Sequence, residues 1–201
     1  YIGAGIHFCA TCDGPFYKGL PVAVIGGGNS ATEESLFLTK FVERVTLLVR
    51  GGELNASQVL QEKVLSHPQI DIRFHTDVVE FRGAESKLNT VIIQDRQTQK
   101  NDEIHPAGVF TFIGQNPNTG FLAGSGVDTN PWGFITTGHT LIHDGTRPAG
   151  FEARDPALLE TSTPGIFAAG DVRADSTKQV ASAAGEGATA ALLVREYLKT
   201  V

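Results

Sequence analysis

The stretch Pro21-Val22-Ala23-Val24-Ile25, followed by Gly26-Gly27-Gly28-Asn29-Ser30-Ala31, constrains the fold more than any other part of the chain. A short β-branched apolar run is what a strand buried on both faces of a parallel sheet requires. The glycines break it. Thr32 to Phe41 then carries an inner face at helical spacing, formed by Ala31, Ser35, Leu38 and Phe41. Val45 to Val49 supplies a second buried strand. The whole is one β-α-β unit of about 30 residues, the size of a mononucleotide-binding half. Inside it, Gly26-x-Gly28-x-x-Ala31 has the spacing of a dinucleotide-binding turn. Gly26 permits the tight turn, Gly28 lets a pyrophosphate reach backbone N–H groups, and Ala31 lets the helix pack close to the strand. The positive helix end faces the phosphates. A plain tight β-α turn is the alternative use of the same glycines.

The pattern continues as α/β. Ala56 to Leu65 predicts a helix, stopped by Ser66-His67-Pro68. Ile70 to Phe74 predicts a third strand. Asp77 to Arg82 and Leu88 to Gln94 predict antiparallel strands, with polar Asp95 to Asp102 as a hairpin tip. Gly108 to Ile113 returns as a buried strand, so a β-meander stands where a crossover helix is usual. Gly114 to Asn118 is a turn cluster and marks the domain boundary. Beyond it, Trp132 to Thr136 predicts a strand, and His139 to Glu160 a long polar loop. Gly165 to Ala169 predicts a short buried strand ending at Gly170-Asp171. Gln179 to Leu198 predicts an Ala-rich helix. Its Gly185 and Gly187 cost helix stability, which suggests close approach by a backbone or ligand, or simple helix-on-sheet packing. The predicted fold class is α/β. A Rossmann-like dinucleotide-binding domain with a parallel sheet, helices and a meander spans residues 1–113, and part of a second α/β domain spans 114–201.

Composition narrows the function. With 41% hydrophobic and 19% charged residues the chain is neither disordered nor fibrous. A net charge of −6 gives no sequence-wide basic field for nucleic acid or an anionic membrane. No apolar run reaches the roughly 18 to 20 residues that span a bilayer, and the N-terminus lacks a secretory pattern. Met is absent even at position 1, which leads us to expect a fragment or a processed piece.

The two cysteines form Cys9-Ala10-Thr11-Cys12. Cysteines this close do not staple distant elements. Zinc needs about two more ligands, and His7 is the one neighbour that qualifies, so no metal site is expected. The remaining reading is a redox-active dithiol, in which a small strained ring exchanges easily and one thiolate is acidic. Asp13 stands beside it, either as a proton donor or acceptor during exchange or as a turn residue of Asp13-Gly14-Pro15.

An NAD-selective site wants an acid at the end of the second strand. Here that position is Arg50, which pairs with a 2′-phosphate or is a solvated surface residue. Passing electrons between a nicotinamide and a disulfide normally requires a flavin. Thr163 to Asp171 has the form of one half of a flavin site: a strand ending in Gly170-Asp171 places a carboxylate against a ribityl hydroxyl. The second Gly-rich turn that the other half needs is not in this sequence.

Five segments then occur in a telling order: Phe8 to Tyr17 (FCATCDGPFY), Val22 to Glu34 (VAVIGGGNSATEE), Phe110 to Thr119 (FTFIGQNPNT), Pro164 to Arg173 (PGIFAAGDVR) and Lys178 to Ala191 (KQVASAAGEGATAA). Their order resembles low-molecular-weight, bacterial-type thioredoxin reductases along nearly the whole chain. That resemblance implies an FAD domain split in sequence by an NADPH domain that carries the redox disulfide. Residues 1–113 would be the inserted domain and 114–201 the C-terminal portion of the FAD domain, the N-terminal FAD segment being missing. It implies that Cys12 faces the flavin, Cys9 attacks the partner disulfide and Asp13 protonates the outgoing thiolate. Gly26, Gly27, Gly28, Asn29 and Ser30 would cradle the nicotinamide dinucleotide phosphates, with Glu33 near the nicotinamide end. Gly114, Gly170 and Asp171 would contact FAD, and Lys178, Gln179 and Val180 would lie at its ring. The implied cofactors are FAD and NADPH. The implied partner is thioredoxin or a thioredoxin-like protein, with a homodimer in the full-length protein and a cytoplasmic setting. The family's basic pair after the second strand, and the arginine four residues beyond it, are here reduced to Arg50, with Gly51 and Asn55 in the other two places. NADH, relaxed specificity or another donor therefore stay open. So does a nucleotide-binding fragment that is inactive alone.

Overall fold

The computed structural model describes residues 1–200, which divide into two compact units, Tyr1–Gly114 and Gln115 onward. In the first unit, strands β1 (Ile6–His7), β2 (Pro21–Ile25), β3 (Arg44–Leu48), β4 (Ile70–Arg73) and β8 (Gly108–Thr111) form a parallel sheet in the order β1-β8-β2-β3-β4. Helices α1 (Ala10–Asp13), α2 (Asn29–Leu38) and α3 (Gln58–Leu65) follow β1, β2 and β3. Strands β5 (Thr76–Ala84), β6 (Lys87–Asp95) and β7 (Asn101–Ile104) form a separate antiparallel sheet.

Period-two alternation explains why both faces of the parallel sheet are covered. Val22, Val24, Val45, Leu47 and Phe110 point to one side, where they pack with Ala31 and Leu38 of α2 and Val64 of α3. Ala23, Leu48 and Val109 point to the other, where Leu88, Val91 and Ile93 of β6 cover them. The meander thus does the packing work of the missing crossover helix.

The helix after the glycines begins at Asn29, earlier than Thr32, because Gly28 already takes the N-cap position. Phe41 lies past its end, partly buried against the same core. Two strands, β1 and β7, carry no legible sequence signal. One is two residues long, and the other, Asn101-Asp102-Glu103-Ile104, is nearly all polar. The predicted tip at Asp95 to Asp102 therefore includes the start of a strand paired to β6.

The second unit corrects two expectations. Trp132 to Thr136 is not a strand: only Ile135 bridges, to Thr129 and Arg173. Gly165 to Ala169 is not a buried strand either. Ile166 is exposed, and the segment is held by one Glu160–Phe167 bridge, with Thr161 N–H donating to the Ile166 carbonyl and Ala168 N–H to that of Leu159. No strand ladder forms beside either segment among the described residues of this unit, so β-propensity alone does not make a strand. The His139–Glu160 segment, in contrast, is organised. It contains most of a 3-10 turn at Gly138–Leu141, a His143–Thr146 bridge, and buried Phe151, Leu159 and Glu160. Helix α4 (Val180–Tyr197) buries none of its residues within this chain, and a Cβ at Gly185 or Gly187 would meet no atom within 4 Å. No helix of the described residues is long and apolar enough to cross a membrane.

Candidate active site

The dithiol leaves the C-terminal edge of the parallel sheet. β1 pairs with β8 in the register His7–Phe110, and the chain turns at Cys9 into the single turn of α1. Cys9 is the N-cap: its Sγ accepts the Cys12 backbone N–H at 3.1 Å. Cys9 and Cys12 are joined as a disulfide, with Cα atoms 5.3 Å apart. Cys9 is half-buried and Cys12 exposed. Ala10 is fully buried in the core, and a Cβ on Gly14 would fall 2.9 Å from Leu38 Cδ2, so α1 is pressed against the end of α2.

Asp13, in the same turn, faces His7: Oδ2 lies 3.2 Å from Nδ1. The other ring nitrogen of His7, Nε2, is 2.6 Å from the Tyr17 hydroxyl. The imidazole is almost wholly buried, with Tyr17 edge-on to it and the Phe110 ring 5.3 Å away. Burial, together with the Asp13 charge, pushes the Tyr17 phenol above its ordinary pKa. Neither His7 nor Tyr17 was among the functional residues expected from sequence. His7 had entered only as a lone zinc ligand, and ten positions separate it from Tyr17, too far for a local motif. Among the described residues, no group of three or more His, Cys, Asp or Glu side chains lies together as a metal site would need.

The glycine-rich turn follows β2 at the same edge of the sheet. With β8 between them, β1 and β2 stand two strand spacings apart, about 10 Å. Gly26 has φ +143°, and a Cβ there would fall 2.4 Å from the Phe112 carbonyl oxygen, so only glycine fits. A Cβ on Gly27 would press on Val49 at 2.9 Å. Gly28 is different: nothing lies within 4 Å of its would-be Cβ, and no side chain caps the helix it opens. The N–H groups of the first turn of α2 therefore face an open cradle, the geometry a pyrophosphate fits.

Asn29 reaches across this turn and accepts the Ser57 N–H on Oδ1 at 2.7 Å, while Asn55 N–H donates to the Gly27 carbonyl at 2.7 Å. The loop after β3 is thereby laid against the cradle. Arg50 is exposed at its start. The His75 ring covers Gly52, whose Cβ would fall 2.6 Å from His75 Cε1. Ser30 and Glu33 are exposed on α2, and Glu34 is half-buried with one carboxylate oxygen lacking a partner. Burial, with Glu33 adding repulsion, pushes the Glu34 carboxyl up.

The remaining candidates lie at the end of the first unit and in the second. Gly114, at φ +93°, closes the first unit. Gly170, at φ +80°, donates its N–H to Glu186 of α4 at 2.7 Å, and the same carboxylate pairs with Arg173 at 2.6 Å. Lys178 donates to the Arg173 carbonyl and lies 4.3 Å from the centre of the Phe134 ring. Burial lowers its pKa. Gln179 caps α4, and Val180, at its first position, is 87% exposed. Asp171 is exposed. The Gly170 turn and the start of α4 are thus tied together through Glu186 and Arg173, a pair that sequence reasoning did not single out.

The chain is similar to known proteins. The chain is 38% identical over 201 residues to the thioredoxin reductase of Treponema pallidum, covering all of this chain and 59% of that protein. It is 34% identical to that of Bacillus subtilis, covering 98% of this chain and 56% of that one. The crystal structure of thioredoxin reductase from Streptococcus pyogenes superposes with a TM-score of 0.81 at 33% identity, covering 98% and 58% of the two chains. This chain spans less than two thirds of the length of these relatives. The family model for pyridine nucleotide-disulphide oxidoreductases matches residues 2–187, and on that match the chain belongs to the pyridine nucleotide-disulphide oxidoreductase family.

Proposed function

We propose that the chain is the greater part of a flavin-dependent disulfide reductase that passes electrons from NADPH or NADH, through FAD and the Cys9–Cys12 pair, to the disulfide of a thioredoxin-like protein. The observation that carries this is the pairing of a disulfide and an adjacent carboxyl with an open dinucleotide cradle at one edge of one sheet. Residues 1–113 would be the NAD(P)H-binding domain and 114–201 the C-terminal portion of the FAD-binding domain. Homodimerisation and a cytoplasmic setting belong to the same reading and rest on the family resemblance.

Gly26, Gly27, Gly28, Asn29 and Ser30 would hold the dinucleotide phosphates, Glu33 would stand near the nicotinamide and Arg50 near the 2′ position. Gly114, Gly170, Asp171, Lys178, Gln179 and Val180 would line the flavin side. The open start of α4, with Val180 outward and Lys178 set beside it, fits such a group. FAD, when bound, supplies the step between a two-electron hydride donor and a dithiol.

The chain's own chemistry is thiol–disulfide exchange. The Cys9 thiolate attacks one sulfur of the partner disulfide. A Cys9–partner S–S bond forms and the partner's own S–S bond breaks. The departing thiolate takes a proton from the Asp13 carboxyl. The Asp13 carboxylate then takes the Cys12 thiol proton, and Cys12 attacks Cys9. The Cys9–Cys12 disulfide re-forms and the second partner thiolate leaves, to be protonated in turn. Two electrons and two protons have passed to the partner.

The test starts with the chain purified in excess FAD and desalted. The expected result is a retained flavin band that NADPH or NADH bleaches and a thioredoxin-like disulfide restores. A chain that is colourless and binds neither nucleotide in calorimetry overturns the reading. Nucleotide preference has its own test. A Cβ at Gly51 would meet only the Glu53 backbone, its carbonyl oxygen at 3.5 Å and its nitrogen at 3.8 Å, ordinary contact, so Gly51→Arg fits. It should tighten NADPH relative to NADH by about tenfold, the worth of one charged phosphate contact. An unchanged ratio would show that Gly51 does not face the 2′ position.

A further inference from the structure

Asp13 does not stand alone. Its Oδ2 is 3.2 Å from His7 Nδ1, and His7 Nε2 is 2.6 Å from the Tyr17 hydroxyl. His7 is 9% exposed, so the chain of contacts runs from the rim of the disulfide into the core. From the proposed role of Asp13 as proton donor, on which this rests, we infer that His7 and Tyr17 are positioning residues for proton transfer at the dithiol: the Tyr17 hydroxyl fixes the His7 tautomer, and His7 Nδ1–H fixes the Asp13 carboxyl.

The direction of the His7–Tyr17 hydrogen bond and of the His7–Asp13 contact follows from what each group can do. An ionised carboxylate only accepts, so Nδ1 carries the proton. Nε2 then has a lone pair, and Tyr17 O–H donates to it. Tyr17 keeps that proton because burial and the Asp13 charge push its pKa up. The neighbours on β8 add no competing charge: Phe110 stacks on the imidazole, and Gly108 gives the phenol ring its space, a Cβ there falling 2.5 Å from Tyr17 Cε1. Both donors then point toward Asp13 Oδ2, which stabilises the carboxylate left after a proton is given and leaves Oδ1 to carry the proton. The scheme gives His7 and Tyr17 no direct part in the sulfur chemistry. They act through Asp13.

A leaving-group comparison tests this without any cofactor. The chain is pre-reduced, freed of reductant, and mixed with one of two disulfide probes. Hydroxyethyl disulfide releases a basic alkyl thiolate that needs a proton. Dithiobis-nitrobenzoate releases an acidic aryl thiolate that does not. Tyr17→Phe keeps the ring packing and removes only the hydroxyl. It should slow the alkyl probe about tenfold, a fraction of what a general acid supplies, and leave the aryl probe within about twofold. His7→Leu should slow the alkyl probe further, and His7→Asn, whose amide N–H can stand where Nδ1–H does, should recover part of the loss. Nitrogen NMR of the imidazole should show Nδ1–H in the parent and a mixture in Tyr17→Phe. Equal slowing of both probes in Tyr17→Phe means structural disturbance and overturns the inference, as does an Nε2–H tautomer in the parent. If Asp13→Asn slows the alkyl probe but Tyr17→Phe and His7→Leu do not, the relay is wrong and Asp13 keeps its role. If Asp13→Asn slows neither probe, the reading of Asp13 itself fails and the relay with it.

Discussion

Cys12→Ser in the whole enzyme should lower turnover with a thioredoxin-like disulfide by about 10³-fold or more, since the resolving step has no substitute for a second thiol. The two cysteines should fail differently. With Cys12 replaced, Cys9 still attacks the partner, and the mixed disulfide has nothing in the chain to release it. Mass spectrometry should find the partner covalently trapped on Cys12→Ser and not on Cys9→Ser. Two properties of the site pull in opposite directions here. Access favours Cys12, which is exposed, whereas Cys9 is half-buried. Position in the turn favours Cys9, the N-cap, whose Sγ in the disulfide accepts the Cys12 backbone N–H at 3.1 Å. A hydrogen bond to the charged form lowers a thiol pKa, and attack requires the thiolate. A half-buried sulfur stays reachable, but a sulfur that is not ionised does not attack, so the second effect should win. Trapping on Cys9→Ser instead would reverse the two roles. Undiminished turnover by Cys12→Ser would remove the dithiol from the mechanism.

What was legible in the sequence was what local chemistry decides. The turn at Gly26 is required by a positive φ and a carbonyl 2.4 Å from where a Cβ would be, and only glycine meets both demands. β2 and β3 are apolar runs because both faces of their sheet are covered. The illegible parts depend on distant partners. β1 is two residues long and exists only because β8 lies beside it. Gly165 to Ala169 has the composition of a buried strand but finds a single bridge. His7 becomes a ligand of Asp13 only after β1 pairs with β8 and the chain turns back through α1. The partner of Gly170 N–H is Glu186, sixteen positions away, and no spacing rule joins a turn to a helix face at that distance.

Glu160 is the strongest case of a residue the sequence hides, and its loss should destabilise the second unit. Its side chain is 1% exposed and fully bonded. Arg154 grips it with two nitrogens at 2.6 and 2.7 Å, and the N–H groups of Ala157 and Gly165 donate at 2.9 Å each. Arg154 is itself stacked by Phe151 at 4.9 Å and Tyr197 at 5.7 Å. Burial alone would push the carboxyl pKa up; the guanidinium and the two N–H groups outweigh it and hold the pKa below the usual carboxylate range. Arg154 is 42% exposed, so water reaches it once the carboxylate is gone, but the Ala157 and Gly165 N–H groups lose their acceptor, at a cost of about 1–3 kcal/mol. Glu160→Ala should lose that much in urea unfolding followed by Trp132 fluorescence and by hydrogen exchange across residues 138–168. A loss under about 1 kcal/mol would mean water replaces the carboxylate freely. The pH dependence has a definite sign. A depressed native pKa contributes stability that is present above the unfolded carboxylate range and is lost as pH falls through the native value. The parent should therefore weaken with acid in that window, and Glu160→Ala should weaken less there. The same carboxylate gives the 139–160 segment its place in the proposed mechanism. Arg154 comes from that segment, while Gly165 begins the turn that leads to Gly170-Asp171. By fixing the Gly165 N–H, Glu160 couples the long polar segment to the residues expected to meet the flavin. Flavin affinity of the whole enzyme should therefore fall in Glu160→Ala although no atom of Glu160 is placed in contact with the cofactor.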